Sequence, residues 1–262
     1  MTEALSPIDK AKLAAARRAA RFVEEGMRVG LGTGSTAAWL VRSLGERARD
    51  EGLRFRGVPT SARTAALARE AGLEVVGLDE AGWLDLTIDG ADEVDGGLNL
   101  IKGGGGALLQ EKIVAAASDR MVVVADAGKR VDALGAFPLP VEVVRFGWTV
   151  TRTLVEEALA GLDVLGRATT TRMNGDAPFV TDEGHHILDL HLNRIGNPRQ
   201  LSMVLNAIPG VVENGLFIDI CDTLVLGHGD GRVEVRDLVA GIAEAGRPAL
   251  GEAGNIFTDA AD

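Results

Sequence analysis

Four consecutive glycines follow a lysine and precede a glutamate in Lys102-Gly103-Gly104-Gly105-Gly106, with Glu111-Lys112 a few residues on. Each ordered glycine costs about 1 kcal/mol relative to alanine in regular structure. A chain that keeps four of them at a helix start presents bare backbone N–H groups suited to an anion. Lys102 adds a positive charge, and Glu111, about one turn into the expected helix, can point back at the same space. A carboxylate sharing a crevice with a lysine and amide donors is a candidate base, its pKa set by burial against the cation. The bland alternative is a solvated acid on a helix surface.

Three more motifs sit at strand ends. Gly30-Leu31-Gly32-Thr33-Gly34-Ser35-Thr36 joins an apolar run to a helical pattern. Small residues there let a ligand approach the backbone, and free amides with hydroxyls at a helix start form a phosphate cradle. Gly32-x-Gly34-x-x-Ala37 loosely fits a dinucleotide fingerprint. The next strand, however, ends in Gly57-Val58-Pro59-Thr60, without the acid that would hold a ribose. No Gly-Lys-Ser/Thr nucleotide loop occurs, and a tight turn with nothing bound is the structural alternative. Asp89-Gly90-Ala91-Asp92-Glu93 ends an apolar strand, where open α/β sheets bind ligands. Its carboxylates can accept hydroxyl hydrogen bonds, move protons or hold a divalent cation; a solvated turn capped by Asp89 is the alternative. Asp126-Ala127-Gly128-Lys129 also follows an apolar strand, so Lys129 can reach a phosphate or a hydroxyl, or stay in water.

The remaining residues narrow the chemistry. All four histidines, His185, His186, His191 and His228, lie in the C-terminal half, so proton chemistry among these motifs falls to carboxylates or lysines. The single cysteine, Cys221, excludes an internal disulfide, argues for buried packing and fits a reducing compartment. No Gly-x-Ser-x-Gly elbow is present. The formal charge of −11 repels nucleic acid and anionic membranes, so neither is expected as a partner. No apolar stretch reaches a membrane span, and the N-terminus does not read as a secretory signal.

The elements that must position these motifs alternate. Strands at 27–31, 53–58, 73–77, 84–88 and 121–125 interleave with helices over 7–23, 37–48, 61–71 and 107–117, which predicts an α/β layer with a mostly parallel, Rossmann-like sheet. After about Leu134 the pattern changes. A strand at 140–144, a helix at 149–160, strands at 168–173, 179–181 and 186–192, and a helix at 198–207 predict a smaller α+β, ferredoxin-like unit. The segments 211–215, 216–220 and 223–226 are expected to return to the first sheet. The division predicted is therefore 1–134 plus 206–230, then 135–205, then a C-terminal extension 231–262, loosely ordered after about Glu244.

In their order and spacing, these motifs closely resemble ribose-5-phosphate isomerase type A. Phe137-Pro138-Leu139-Pro140-Val141-Glu142-Val143 and the run from Asn206 to Phe217 extend the resemblance from about Lys10 to Gly227. It implies a metal-free, cofactor-free aldose–ketose isomerase that interconverts D-ribose 5-phosphate and D-ribulose 5-phosphate through an enediolate, in the non-oxidative pentose phosphate pathway. It also implies a cytoplasmic homodimer or homotetramer. Carried over by position, Glu111 would be the base and Asp89 would assist ring opening. Asp92 and Lys102, with the amides of Gly103, Gly104, Gly105 and Gly106, would hold the reacting oxygens. Thr33, Gly34, Ser35 and Thr36, with Gly90 and Ala91, would line the sugar-phosphate pocket, and Lys12 and Lys129 would add basic contacts. Two other readings fit parts of the pattern. One is a sugar-phosphate sensor, although the residues before Lys10 leave no room for a DNA-binding module; the other is an acyl or CoA transferase with a glutamate nucleophile.

Overall fold

The computed structural model describes residues 5–238 and 241–246. Its centre is an eight-stranded sheet in the order Ile242–Gly246, Val233–Asp237, Thr223–Gly227, Met121–Asp126, Leu86–Gly90, Arg28–Leu31, Arg56–Pro59, Glu74–Val75. The six strands from Thr223–Gly227 to Glu74–Val75 run parallel. The Rossmann-like expectation therefore holds. Met121–Asp126 shows why such a strand reads as one apolar run. Val122 and Val124 pack with Leu13, Trp39 and Leu40 on one face of the sheet. Met121, Val123 and Ala125 pack with Leu100, Phe217 and Leu226 on the other. Both faces are covered, so no alternation survives.

Helix Pro7–Ala20 begins as expected, with the Ser6 side chain accepting the Asp9 amide at 3.1 Å. Its buried face is almost all alanine, from Ala11 to Ala20, which lets it pack closely on helix Ser35–Asp50. That second helix starts at Ser35 rather than at the expected Ala37, so Ser35 and Thr36 belong to its first turn.

A second sheet is antiparallel, in the order Val211–Asn214, Leu139–Val143, His186–His191, Ala168–Thr171, with helices Trp148–Leu159 and Pro198–Asn206 packed against it. Strand and helix order make it a βαββαβ unit. Its fourth strand corrects one expectation: Val211–Asn214 pairs with Leu139–Val143 instead of returning to the first sheet. Gly210, at φ +91°, turns the chain after the helix, and the Val144 amide binds the Gly210 carbonyl, which leaves the strand no other neighbour. Leu216–Phe217 joins Leu100–Ile101 and Glu93–Val94 in a short third sheet, so only Thr223–Gly227 rejoins the parallel sheet. Asn214 makes this switch: its side chain accepts the Leu216 amide and donates to Asn206 and Ser202. The segment 179–181 is not a strand, and Ala177–Pro178 pairs with Met173–Asn174 in its place. Beyond residue 230, Val233–Asp237 and Ile242–Gly246 extend the main sheet antiparallel, so strand order continues past Glu244. The remainder of the expected loose tail, 247–262, lies outside the described residues. Among the described residues no helix is long and apolar enough to cross a membrane.

Candidate active site

Strand Leu86–Gly90 delivers Asp89 to its carboxyl end with the side chain fully buried. Asp89 Oδ1 accepts the amides of Gly90 at 2.6 Å and Thr33 at 3.1 Å. Gly32 permits this approach, because a Cβ there would stand 2.0 Å from Asp89 Oδ1. Lys102, just past Leu100–Ile101, is also buried, and its Nζ donates to the Gly90 carbonyl at 2.7 Å. The same ammonium lies 3.0 Å from Asp89 Oδ2 and 3.3 Å from Glu111 Oε2. Glu111 reaches this point from the first turn of helix Leu108–Ala116 and is itself buried.

Two carboxyls therefore share one ammonium in a dry pocket. Burial pushes Glu111 up to about 8, helped by the neighbouring Asp89 charge and opposed by Lys102. Burial also raises Asp89, again against Lys102. Burial alone would lower the Lys102 pKa, but the two carboxylates outweigh it and hold the ammonium above its ordinary range. The pocket is one positive charge short, so the two carboxyls keep a proton between them to unusually high pH.

The glycine loop closes over this cluster. Gly103 adopts φ +102°, a conformation that favours glycine. The Gly104 amide donates to Asp92 Oδ2 at 2.7 Å, and the Gly106 amide to the Gly103 carbonyl at 3.0 Å. Among the described residues the amides of Gly103 and Gly105 have no acceptor. A Cβ on Gly105 would touch Thr33 Cγ2 at 3.7 Å, so the loop faces the first glycine motif. There the amides of Ser35 and Thr36 are likewise without a protein acceptor among the described residues, and Lys12 Nζ donates to Ser35 Oγ at 2.9 Å. Gly34 and Ser35 are exposed. Lys129 stands 5.8 Å from the Phe137 ring centroid, and that ring's tip would lie 3.0 Å from a Cβ on Gly104. The arrangement is a buried acid–base cluster beside unpaired amides, with a cationic, amide-lined mouth.

The family model for Ribose 5-phosphate isomerase A (phosphoriboisomerase A) matches residues 56–231. A ribose-5-phosphate isomerase A from Ruegeria pomeroyi is 73% identical over 262 residues, covering all of both chains. The chain belongs to the ribose 5-phosphate isomerase A family. It is thereby an isomerase of the kind that interconverts ribose 5-phosphate and ribulose 5-phosphate. The solved ribose 5-phosphate isomerase A of Methanocaldococcus jannaschii superposes with a TM-score of 0.79 at 40% identity, over 86% of this chain and 97% of that one. A D-ribose-5-phosphate isomerase in complex with phospho-erythronic acid gives 0.81 at 38% identity, over 88% of this chain and 99% of that one.

Against the sequence expectations for this isomerase, Glu111, Asp89, Lys102, Asp92 and the glycine loop converge. Asp92 turns to the Gly104 amide, while Lys102 stands beside Asp89. The Thr33 hydroxyl bonds to those of Thr60, Ser61 and Thr64, at 2.8, 2.9 and 3.1 Å. Nothing in the spacing marks that cluster, although Thr60-Ser61 follows strand Arg56–Pro59 as Gly32-Thr33 follows strand Arg28–Leu31. Lys112 is structural, since its Nζ binds Glu213 and the carbonyls of Asn214 and Leu216. The histidines serve the second sheet and the C-terminal strands: His185 binds Glu142, His186 the Phe179 carbonyl, His191 Thr170 and His228 Glu234. Cys221 is buried, and burial pushes its thiol up to about 12.

Proposed function

We propose that this chain interconverts ribose 5-phosphate and ribulose 5-phosphate by proton transfer through an enediolate, with Glu111 as the base. The observation that carries this reading is the dry contact between Glu111, Lys102 and Asp89, next to the unpaired Gly103 and Gly105 amides. Glu111 takes the proton from C2 of the open-chain aldose. The electron pair forms the C1–C2 double bond, and negative charge moves to the C1 oxygen. The loop amides and Lys102 stabilise that charge in a site without bulk water. Transfer of the 2-hydroxyl proton and return of the first proton to C1 give the ketose, with no net change in charge. Asp89 assists ring opening, and the second oxygen of Asp92 takes a sugar hydroxyl. The substrate phosphate lies at the mouth, on the amides of Ser35 and Thr36, with Lys12 and Lys129 as counter-charges. A phosphorylated acid such as phospho-erythronic acid, bound by the relative above, suits a pocket with amide donors at both ends.

The purified chain should convert ribose 5-phosphate to the ketose in the presence of a chelator; absence of conversion there would overturn the metal-free reading. The base must be ionised to act, so kcat/KM should rise with pH to a midpoint near 8, following Glu111. The substrate phosphate titrates near ~6, well separated from that limb. A profile flat from pH 6 to 9 would contradict the assignment.

The enzyme is further read as cytoplasmic and self-associated. Phe146, 93% exposed, continues into exposed Val150 and Leu154 on helix Trp148–Leu159, and Met203 is exposed on helix Pro198–Asn206, which packs against it. An apolar stripe of that kind suits a second copy of the chain. Sedimentation should give a dimer or tetramer for the natural chain and a smaller species for Val150→Glu/Leu154→Glu. A monomeric natural chain would contradict it.

A further inference from the structure

The glycine loop is held from the second sheet by one arginine. Arg172 lies between Ala168–Thr171 and Met173–Asn174, and its own backbone is tied on both sides, its amide to the Ile187 carbonyl and its carbonyl to the Phe179 amide, each at 2.9 Å. Its guanidinium is clamped by the Asp189 carboxylate, with Nε to Oδ2 at 3.0 Å and Nη2 to Oδ1. The free edge then donates through Nη1 to the Gly103 carbonyl at 2.8 Å and the Gly104 carbonyl at 3.2 Å.

The consequence follows from peptide geometry. In a trans peptide the C=O of one residue and the N–H of the next point in opposite directions, and no cis peptide occurs among the described residues. Drawing the Gly103 carbonyl toward Arg172 turns the Gly104 N–H away from it, and that N–H is found on Asp92. Drawing the Gly104 carbonyl the same way turns the Gly105 N–H to the opposite side, and that amide has no protein acceptor among the described residues. Without such a hold, consecutive glycines lacking Cβ atoms have many other orientations open to them. Phe179, directly after strand Ala177–Pro178, meets the loop again at Gly106, where a Cβ would stand 2.6 Å from its ring.

We propose that Arg172, clamped by Asp189, is a positioning residue that aims the Gly105 amide, one of the two unpaired loop amides, at the developing oxyanion. This rests on the reading that those amides stabilise the enediolate. Arg172 touches carbonyls, so its effect passes through the loop and not through the substrate.

The test compares Arg172→Ala, Arg172→Lys and Asp189→Asn in turnover and in binding of two probes, phospho-erythronic acid and inorganic phosphate. The carboxylate of the first stands for the two enediolate oxygens; the second reports only the mouth. Misaiming the donors by about 1 Å costs about 100-fold, so Arg172→Ala should lower kcat about 10–100-fold with KM within about threefold. Affinity for phospho-erythronic acid should fall by a similar factor and affinity for phosphate should hold. Asp189→Asn keeps the arginine but loosens its clamp, and should show the same pattern more weakly; Arg172→Lys, with one donor axis, should recover part of the loss. If Arg172→Ala does not fold, Asp189→Asn and Arg172→Lys decide. Unchanged kcat in the folded variants, or equal loss of both probes, would overturn the proposal. Full turnover in Glu111→Gln would overturn the base assignment alone, since probe binding is read without turnover.

Discussion

Glu111→Gln is expected to lower kcat for isomerisation by about 10³-fold or more and, at pH 8, to raise the stability of the fold. The first effect removes a general base, a contribution typically worth about 10²–10⁴ in rate; glutamine keeps the shape and can still accept from Lys102. The second follows from linkage. The folded-state pKa of Glu111 lies near 8, above the ordinary value of 4.5. The native chain therefore binds this proton more tightly than the unfolded chain does, and stability falls as pH rises between those two values. Glutamine has no proton to lose. The variant should be about 1–3 kcal/mol more stable than the natural chain at pH 8, with the difference shrinking toward pH 5. Denaturant melts at both pH values check this. A variant that turns over normally and melts earlier at pH 8 would remove both the base and the buried charge from the account.

Lys102→Met is expected to act in the opposite direction on stability. It takes the ammonium from between Asp89 and Glu111, which lie 3.0 and 3.3 Å from it, and leaves both carboxyls in the dry pocket. Breaking a buried ion pair from one side costs about 3–5 kcal/mol. The loss should be greatest near pH 8 and ease toward pH 5.5, because protons on the carboxyls then neutralise the pocket. Turnover should fall about 10²-fold or more, since the oxyanion loses its nearest cation. Adding Glu111→Gln to Lys102→Met should recover part of the stability and none of the turnover. A loss equal at both pH values would indicate a packing defect in place of an uncompensated charge.

Much of this site was legible because its parts sit at strand ends. Asp89 and the Gly32–Gly34 motif end strands of the parallel sheet, which gathers such ends on one edge, while Lys102 and the four-glycine loop follow Leu100–Ile101 of the short third sheet. Glu111 was legible from its distance after Gly106, one turn into a helix that needs to start there. Arg172 was not, because nothing local marks it: its partners Gly103 and Gly104 lie far back in the chain, and only the βαββαβ unit brings them within reach. The hydroxyl cluster of Thr33 with Thr60, Ser61 and Thr64 is hidden for a related reason, since the turn at Pro59-Thr60-Ser61 comes alongside only once the parallel strands Arg28–Leu31 and Arg56–Pro59 pair. The three short apolar runs after Gly210 look alike in sequence. Their assignment to three different sheets depends on Gly210 and Asn214, whose turn and side-chain bonds are decided by tertiary neighbours.

The most direct test is carbon-bound hydrogen exchange followed by NMR in deuterated water, with ribose 5-phosphate as substrate and phospho-erythronic acid binding as the control for an intact pocket. The natural chain should place deuterium on the carbons adjoining the carbonyl during isomerisation, while Glu111→Gln, still binding the control ligand, should leave those hydrogens in place. Exchange in the glutamine variant at a rate near that of the natural chain would mean that another group moves the proton.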